Sequence, residues 1–214
     1  MSTIDMKKEV LAMALQSFRE KLFAGTSGNL SVYDPEKNIV AITPSGIPYE
    51  TMTAEDISVI DLDGNILEGP HKPSSEWRMH TAIYQGLPGT FGVVHTHSPY
   101  ATSFAVVQKP IPTALIEMIS FLGGDVPVAD FAMPGTKELG DKAIQVLTHR
   151  KACLLANHGV LAVGPTLEKA HLSALYAEDA AKVCSLSYAV GELHLVPLEF
   201  QNMMREKYGM KAET

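Results

Sequence analysis

Phe91-Gly92-Val93-Val94-His95-Thr96-His97 is the stretch on which the reading of this chain turns. A short apolar run of this kind predicts a buried strand. Side chains alternate along a strand, so His95 and His97, two residues apart, share one side. Two imidazoles placed that way can grip one metal ion. Upstream, Pro73-Ser74-Ser75-Glu76 supplies a carboxylate. Downstream, a second apolar run, Ala152-Cys153-Leu154-Leu155-Ala156, ends in Asn157-His158-Gly159. Glu76, His95, His97 and His158 thus form a candidate set of three nitrogens and one oxygen, the ligand chemistry that catalytic zinc favours. The plainer alternative is a group of hydrogen-bonded histidines near a sheet edge. None of His71, His80, His149, His171 and His194 is assigned to the metal; His80, one turn beyond Glu76, comes nearest to a spare ligand.

The composition bounds what surrounds this cluster. The 214 residues are 46% hydrophobic and 19% charged, ordinary for a globular protein, and point to one domain over residues 1–214. A formal net charge of -7 argues against nucleic-acid or anionic-membrane partners, which attract basic surfaces. Cys153 and Cys184 both lie in apolar contexts, so a disulfide framework is not expected and a reducing compartment fits. The charged start Asp5, Lys7, Lys8, Glu9 does not read as a signal peptide. No run reaches the roughly 18 apolar residues of a membrane span. A cytoplasmic protein is the expectation.

Along the chain, apolar positions Val10, Met13, Ala14, Phe18 and Leu22 predict an amphipathic helix from Ile4 to Phe23. Strands are expected at 30–33, 39–42 and 58–61, with Asp63-Gly64 turning the last into a hairpin whose return is Ile66-Leu67-Glu68. Ser74 or Ser75 is a candidate cap for a helix from Glu76 to Gln85. Pro99 to Val107 reads as helical, and residues 111–129 give no clear pattern. Thr136 is a candidate cap for a helix to Arg150. Strands at 152–156 and 160–163 precede a long helix from Thr166 to Val190, with Leu167, Ala170, Ala174, Ala177 and Ala181 on its apolar side. The tail from Pro197 to Thr214 holds a helical piece and a polar end. Many short strands flanked by helices predict a three-layer α/β/α fold. The tight turns between strands predict a central mixed, mainly antiparallel sheet.

Three loops are rich in glycine and small hydroxyls: Gly25-Thr26-Ser27-Gly28-Asn29, Thr43-Pro44-Ser45-Gly46 and Ser74-Ser75. Backbone N–H groups and hydroxyls of such loops donate to phosphate oxygens, and a helix starting near Ser75 adds a positive dipole end. None matches a nucleotide-binding pattern. As a set beside a metal they suggest a phosphomonoester site. No serine-nucleophile elbow is present, and Cys153, in mid-strand, reads as core.

Thr26-Ser27-Gly28-Asn29-Leu30-Ser31, Thr43-Pro44-Ser45-Gly46-Ile47-Pro48-Tyr49-Glu50, Pro73-Ser74-Ser75-Glu76-Trp77-Arg78, Val94-His95-Thr96-His97-Ser98 and Asn157-His158-Gly159 follow one another in order. Together they resemble the class II (zinc-dependent) sugar-phosphate aldolase/epimerase family over residues 5 to 210, and within it the branch that cleaves L-fuculose 1-phosphate. The resemblance implies one Zn2+ per subunit, held by His95, His97 and His158. Glu76 would be a ligand in the empty enzyme and a proton-transfer group once substrate displaces it. Gly28, Asn29, Ser45, Gly46, Ser74 and Ser75 would hold the phosphate of a small phosphorylated sugar. The epimerase branch carries aspartate at the Glu76 position, so Glu76 favours aldol cleavage. The family assembles as a homotetramer with active sites between subunits.

The chain departs from the family at one informative place. A tyrosine seven residues before the second glycine of a Gly-Gly pair protonates the aldehyde oxygen across the subunit interface in the fuculose branch. Counting back from Gly123-Gly124, that position is Glu117. A glutamate can take the role if burial raises its pKa; otherwise it signals a different aldehyde, a dehydratase-like reaction or a plain surface residue. Tyr208-Gly209 matches the family's mobile tail, whose tyrosine assists catalysis. Rival readings on this scaffold are a deoxypentulose-phosphate aldolase, a pentulose-phosphate 4-epimerase and a methylthioribulose-phosphate dehydratase. A non-catalytic adducin-like interaction module would have lost the ligands that are present here.

Overall fold

In the computed structural model, which describes residues 1–210, one sheet of eight strands carries the architecture. The strands are β1 (Asn29–Asp34), β2 (Ile39–Ile42), β3 (Ser58–Asp61), β4 (Ile66–Glu68), β5 (Gly92–Thr96), β6 (Val128–Ala129), β7 (Ala152–Leu155) and β8 (Gly159–Gly164). They lie in the order β4-β3-β2-β1-β5-β8-β7-β6. Every neighbouring pair is antiparallel except β6 with β7. The sheet is therefore mixed and mainly antiparallel, as the turn-rich sequence implies.

The helices are α1 (Thr3–Arg19), α2 (Trp77–Gly86), α3 (Pro99–Val106), α4 (Ile116–Leu122), α5 (Lys137–Leu147), α6 (Leu167–Val190) and α7 (Leu198–Lys207). They divide between the two sheet faces, and the period-two alternation of the strands decides how. Leu30, Val32, Val94, Ala152 and Leu154 pack with residues of α1, α3, α4 and α6 in one core. Their chain neighbours Val93, Cys153 and Leu155 turn the other way and pack with Met79 and Ile83 of α2 and Leu139 and Ala143 of α5. This is the three-layer α/β/α arrangement. On α6, alanines at 170, 174, 177 and 181 leave room for the helix to lie close on the sheet.

Most elements fall where the sequence places them, and the departures are local. α1 stops at Arg19, short of Phe23, because Lys21 takes a left-handed φ of 62° and ends the turn. α5 stops at Leu147 rather than Arg150, and Thr136 caps its start by accepting the N–H of Leu139. Neither Ser74 nor Ser75 is the N-cap of α2. Glu76 occupies that position, its carboxylate makes no cap bond, and Ser74 Oγ instead accepts the N–H of Glu76. Residues 111–129 contain α4, the two-residue β6 and a bridge between Ile111 and Val126. No helix among the described residues is long and apolar enough to cross a membrane. The polar tail end at 211–214 lies outside the described residues.

Candidate metal centre

β5 and β1 run antiparallel with Asn29 opposite His95, on the sheet face covered by α2 and α5. The first turn of α2 sits above them and brings Glu76 down to the strand ends. On the other flank β8 lies beside β5, so the β7–β8 turn delivers His158 to the same point. That turn approaches closely. A Cβ at Gly159 would lie 2.3 Å from the carbonyl oxygen of Thr96, so only glycine fits there. Asn157 completes the turn with a left-handed φ of 57°.

The four side chains meet as the sequence predicts. One ligand atom from each of Glu76, His95, His97 and His158 lies within 4.8 Å of the others. His95 Nε2 is 3.0 Å from His97 Nε2 and 3.1 Å from Glu76 Oε2, and His158 Nε2 is 3.5 Å from Glu76 Oε1. A tetrahedral ion with N and O ligands at its usual bond lengths sets them roughly 3.3–3.6 Å apart, close to these separations. His95 Nδ1 lies 2.8 Å from the carbonyl oxygen of Val160, an acceptor that keeps a proton on Nδ1 and turns Nε2 toward the cluster, where it can ligate a metal on giving up its own proton. Glu76 Oε1 is buried without a hydrogen-bond partner among the described residues, an acceptor aimed into the same space. The donor set and this orphaned oxygen fit a divalent metal.

The electrostatics put three of the four groups, His97, His158 and Glu76, in their metal-binding protonation state. Burial pushes His97 down to about 4, helped by the charge of His95 and His158 against the pull of Glu76. Burial and the charge of His95 push His158 to about 4 as well. Both are therefore neutral near pH 7 and carry the lone pairs a metal needs. Burial alone would raise Glu76, but His95 and the hydrogen bonds from His95 and Asn29 outweigh it and hold the carboxyl below its usual range. His95 responds in the opposite sense: burial lowers it and Glu76 more than restores it.

Beside the cluster opens a cleft of about 250 Å³ whose walls include Gly28, Asn29, Ser45, Gly46, Ser74, Ser75, Glu76, His97 and His158. All six predicted phosphate residues are thus brought together, from three loops. The second and third are clamped to each other by Ser45 N–H to Lys72 O at 3.0 Å and Ser74 N–H to Thr43 O at 2.9 Å. The first is pinned by Tyr49, whose hydroxyl donates to Gly28 O at 2.9 Å while its ring stacks on Phe23. Gly28 itself has φ 78°, and a Cβ there would strike Phe23. Tyr49 went unassigned in the sequence, though it stands in the Ile47-Pro48-Tyr49-Glu50 motif.

Three residues singled out in the sequence stand apart from the cluster. His80, not assigned to the metal in the sequence, is no member of the ligand group. It is fully buried, with Nδ1 2.6 Å from Ser31 Oγ and Nε2 2.5 Å from Asn29 Oδ1, both ring nitrogens engaged away from the cluster. Glu117 is exposed in the first turn of α4, and Tyr208 is exposed at the end of α7. Neither lines the cleft within one chain.

Residues 8–185 match the family model of the class II aldolase and adducin N-terminal domain. A 5-deoxy-D-ribulose 1-phosphate aldolase from Bacillus thuringiensis serovar kurstaki is 36% identical over 208 residues, 96% of this chain and 97% of that protein. An L-fuculose phosphate aldolase from Escherichia coli O6:H1 is 39% identical over 186 residues, 86% of this chain and 85% of the relative. A solved structure of an L-fuculose 1-phosphate aldolase superposes with a TM-score of 0.90 at 40% identity, covering 96% of this chain and 97% of that one.

Proposed function

The chain belongs to the class II aldolase and adducin family, and on that premise we propose that it is a metal-dependent sugar-phosphate aldolase, a carbon–carbon lyase acting on a ketose 1-phosphate. The observation that carries this is the meeting of Glu76 with three histidines at one end of a hydroxyl-lined cleft. An interaction module has no need of such a cluster.

The native ion in this reading is Zn2+, one per chain, held by His95, His97 and His158 with Glu76 as the fourth ligand until substrate enters. Nitrogen-rich donors favour zinc over magnesium. When bound, it supplies Lewis acidity toward the substrate's carbonyl and hydroxyl oxygens. The chain's own residues do the rest. Gly28, Asn29, Ser45, Gly46, Ser74 and Ser75 hold the phosphate with N–H and O–H donors beside the N-terminus of α2. As the C3–C4 bond breaks, the C4 hydroxyl passes its proton to the group that serves the aldehyde oxygen and becomes the aldehyde. Glu76, which takes the C3 hydroxyl proton as substrate enters, delivers it to C3 of the dihydroxyacetone phosphate half, and the C3 oxygen regains a proton from solvent. Glu117 and Tyr208, exposed on a single chain, serve the aldehyde oxygen in a neighbouring subunit of a homotetramer.

For the substrate we take L-fuculose 1-phosphate first, which yields dihydroxyacetone phosphate and L-lactaldehyde. The second reading is a 5-deoxypentulose 1-phosphate, favoured by the nearly full-length similarity to the B. thuringiensis enzyme. Both share the dihydroxyacetone phosphate half and differ only in the aldehyde. The test offers each ester to the zinc-loaded protein and detects dihydroxyacetone phosphate with a coupled reductase, with and without chelator. Chelator-sensitive cleavage that zinc restores is expected. The ester with the higher kcat/KM names the aldehyde, and cleavage of neither overturns the aldolase reading. Borohydride with substrate should trap no lysine adduct.

A further inference from the structure

The residues behind Glu76 form a continuous polar chain inside an otherwise apolar layer. Tyr84 Oη lies 2.6 Å from Ser31 Oγ and donates to Ser31 O at 2.9 Å; Ser31 Oγ lies 2.6 Å from His80 Nδ1. His80 Nε2 lies 2.5 Å from Asn29 Oδ1, and Asn29 Nδ2 donates to Glu76 Oε2 at 2.9 Å. Ser31, His80, Tyr84, Asn29 and Glu76 are all buried, so each group must find its partner within the chain.

Only one direction of donation satisfies every member. Glu76 is an acceptor at its end of the chain, so Asn29 must turn its NH2 toward it. The Asn29 carbonyl oxygen then faces His80 and needs a donor, which makes Nε2 the protonated nitrogen of a neutral imidazole. His80 Nδ1 is left as an acceptor for the Ser31 hydroxyl, and the Tyr84 hydroxyl donates back to Ser31. The opposite tautomer would aim the Asn29 carbonyl at the Glu76 carboxylate and leave two oxygens facing each other, a costly arrangement in a buried site. Burial holds His80 neutral, pushed down to about 3.

We propose that His80 is a positioning residue: its Nε2–H grips Asn29 Oδ1 and fixes the Asn29 amide as a two-armed donor. One N–H holds Glu76. The other is left for the cleft that Asn29 also lines, where the substrate's phosphate sits. A single buried histidine thus ties the aim of the carboxylate to the anion site. This rests on the aldolase reading only for the identity of the anion.

The test combines a spectrum and two variants. In the zinc-loaded protein, ¹⁵N-imidazole correlation spectra should show His80 as one neutral tautomer with the proton on Nε2 from pH 5.5 to 8.5. A proton on Nδ1, or titration in that range, overturns the proposal. His80→Leu removes the donor, whereas His80→Gln keeps an N–H at the reach of Nε2. At equal zinc content, H80L should bind inorganic phosphate about 10-fold more weakly and lose about 10–100-fold in kcat, the usual cost of losing an outer-sphere partner. H80Q should recover both to within about 3-fold, since a neutral donor is what the site needs. Equal impairment of the two folded variants, or wild-type phosphate binding by H80L, overturns it. Should H80L fail to fold, the wild-type spectrum still decides. If the wild-type protein cleaves no ketose 1-phosphate, the aldolase reading falls while the tautomer and phosphate binding are still measured.

Discussion

The sheet presents two unlike faces from the same strands. Toward α1, α3, α4 and α6 the buried strand side chains are mostly apolar, among them Leu30, Val32, Val94, Leu154 and Val160, with Asp34 and Thr96 as polar exceptions at strand ends. Toward α2 and α5 the same strands carry Asn29, Ser31 and His95 beside apolar Val93 and Leu161. One face holds the molecule together, and the other holds a polar line that ends at the cluster of Glu76 and three histidines. The dry face also has a buried histidine. His171, on α6, meets Ser17 and Glu20 of the first helical segment rather than the sheet, so its hydrogen bonds join two helices and reach no site. The connected polar line against the sheet lies on the side where α2 begins.

Paired substitutions should separate the faces most sharply. His95→Ala should reduce bound metal to background and lower turnover by roughly 10³-fold or more, with circular dichroism still reporting the fold. Ile57→Ala, in the dry core, should instead cost about 2–5 kcal/mol of stability and leave KM unchanged. Metal analysis and urea unfolding read the two. A His95→Ala protein that retains stoichiometric metal would break the assignment of the wet face.

Acid should act chiefly through the wet face, with buried His171 on the other side, also held below its ordinary value by burial, adding a loss of the same sign. The sign follows from the histidines. His80 is pushed down to about 3, and His97 and His158 to about 4, each from an ordinary 6.5. Between those values the unfolded chain binds protons that the folded one refuses. The stability they confer is full above pH 6.5 and is lost as pH falls through their folded values. Glu76, held below its ordinary 4.5, adds a loss of the same sign at lower pH. His95, shifted upward, opposes: its contribution is full below 6.5 and is lost only as pH rises through its folded value. The metal-free protein should therefore show a urea midpoint that falls steadily from pH 6.5 to 4. A flat profile would show that these imidazoles are not buried neutral.

The wet face was also the more legible in sequence, but only in part. His95 and His97 declare themselves because two residues on a strand share a side, and His158 because a turn with Asn-x-Gly follows an apolar run. What joins them is not local. Asn29 meets His95 through the β1–β5 register, and His80 meets Ser31 and Asn29 across helix and strand. Spacing to Glu76 gives His80 no more than a place beside the ligands and says nothing of its real partners, which are 49 and 51 residues away. The serines before α2 looked like caps because composition cannot tell a cap from a loop that turns its backbone donors elsewhere. Residues 111–129 gave no pattern because β6 is two residues long and exists only through pairing with β7.

The smallest expected effect concerns residues on neither face. Glu117 and Tyr208 are exposed, so Glu117→Gln and Tyr208→Phe should leave stability within about 0.5 kcal/mol and metal content unchanged. If each reaches the cleft of a neighbouring chain, kcat should fall by about 10-fold or more, as for loss of a proton-transfer group. Mixing distinguishes this from a distant perturbation. Glu76→Gln chains lack proton transfer at their own cluster, and Glu117→Gln/Tyr208→Phe chains lack it at a neighbour's. Unfolded together and refolded, the two kinds of inactive chain form hybrids in which an intact cluster can meet intact donors. Recovered activity, with neither parent active alone, requires a site shared between subunits. No recovery, with the double variant as active as wild type, would return Glu117 and Tyr208 to the ordinary surface and leave the wet face of one chain sufficient for the reaction.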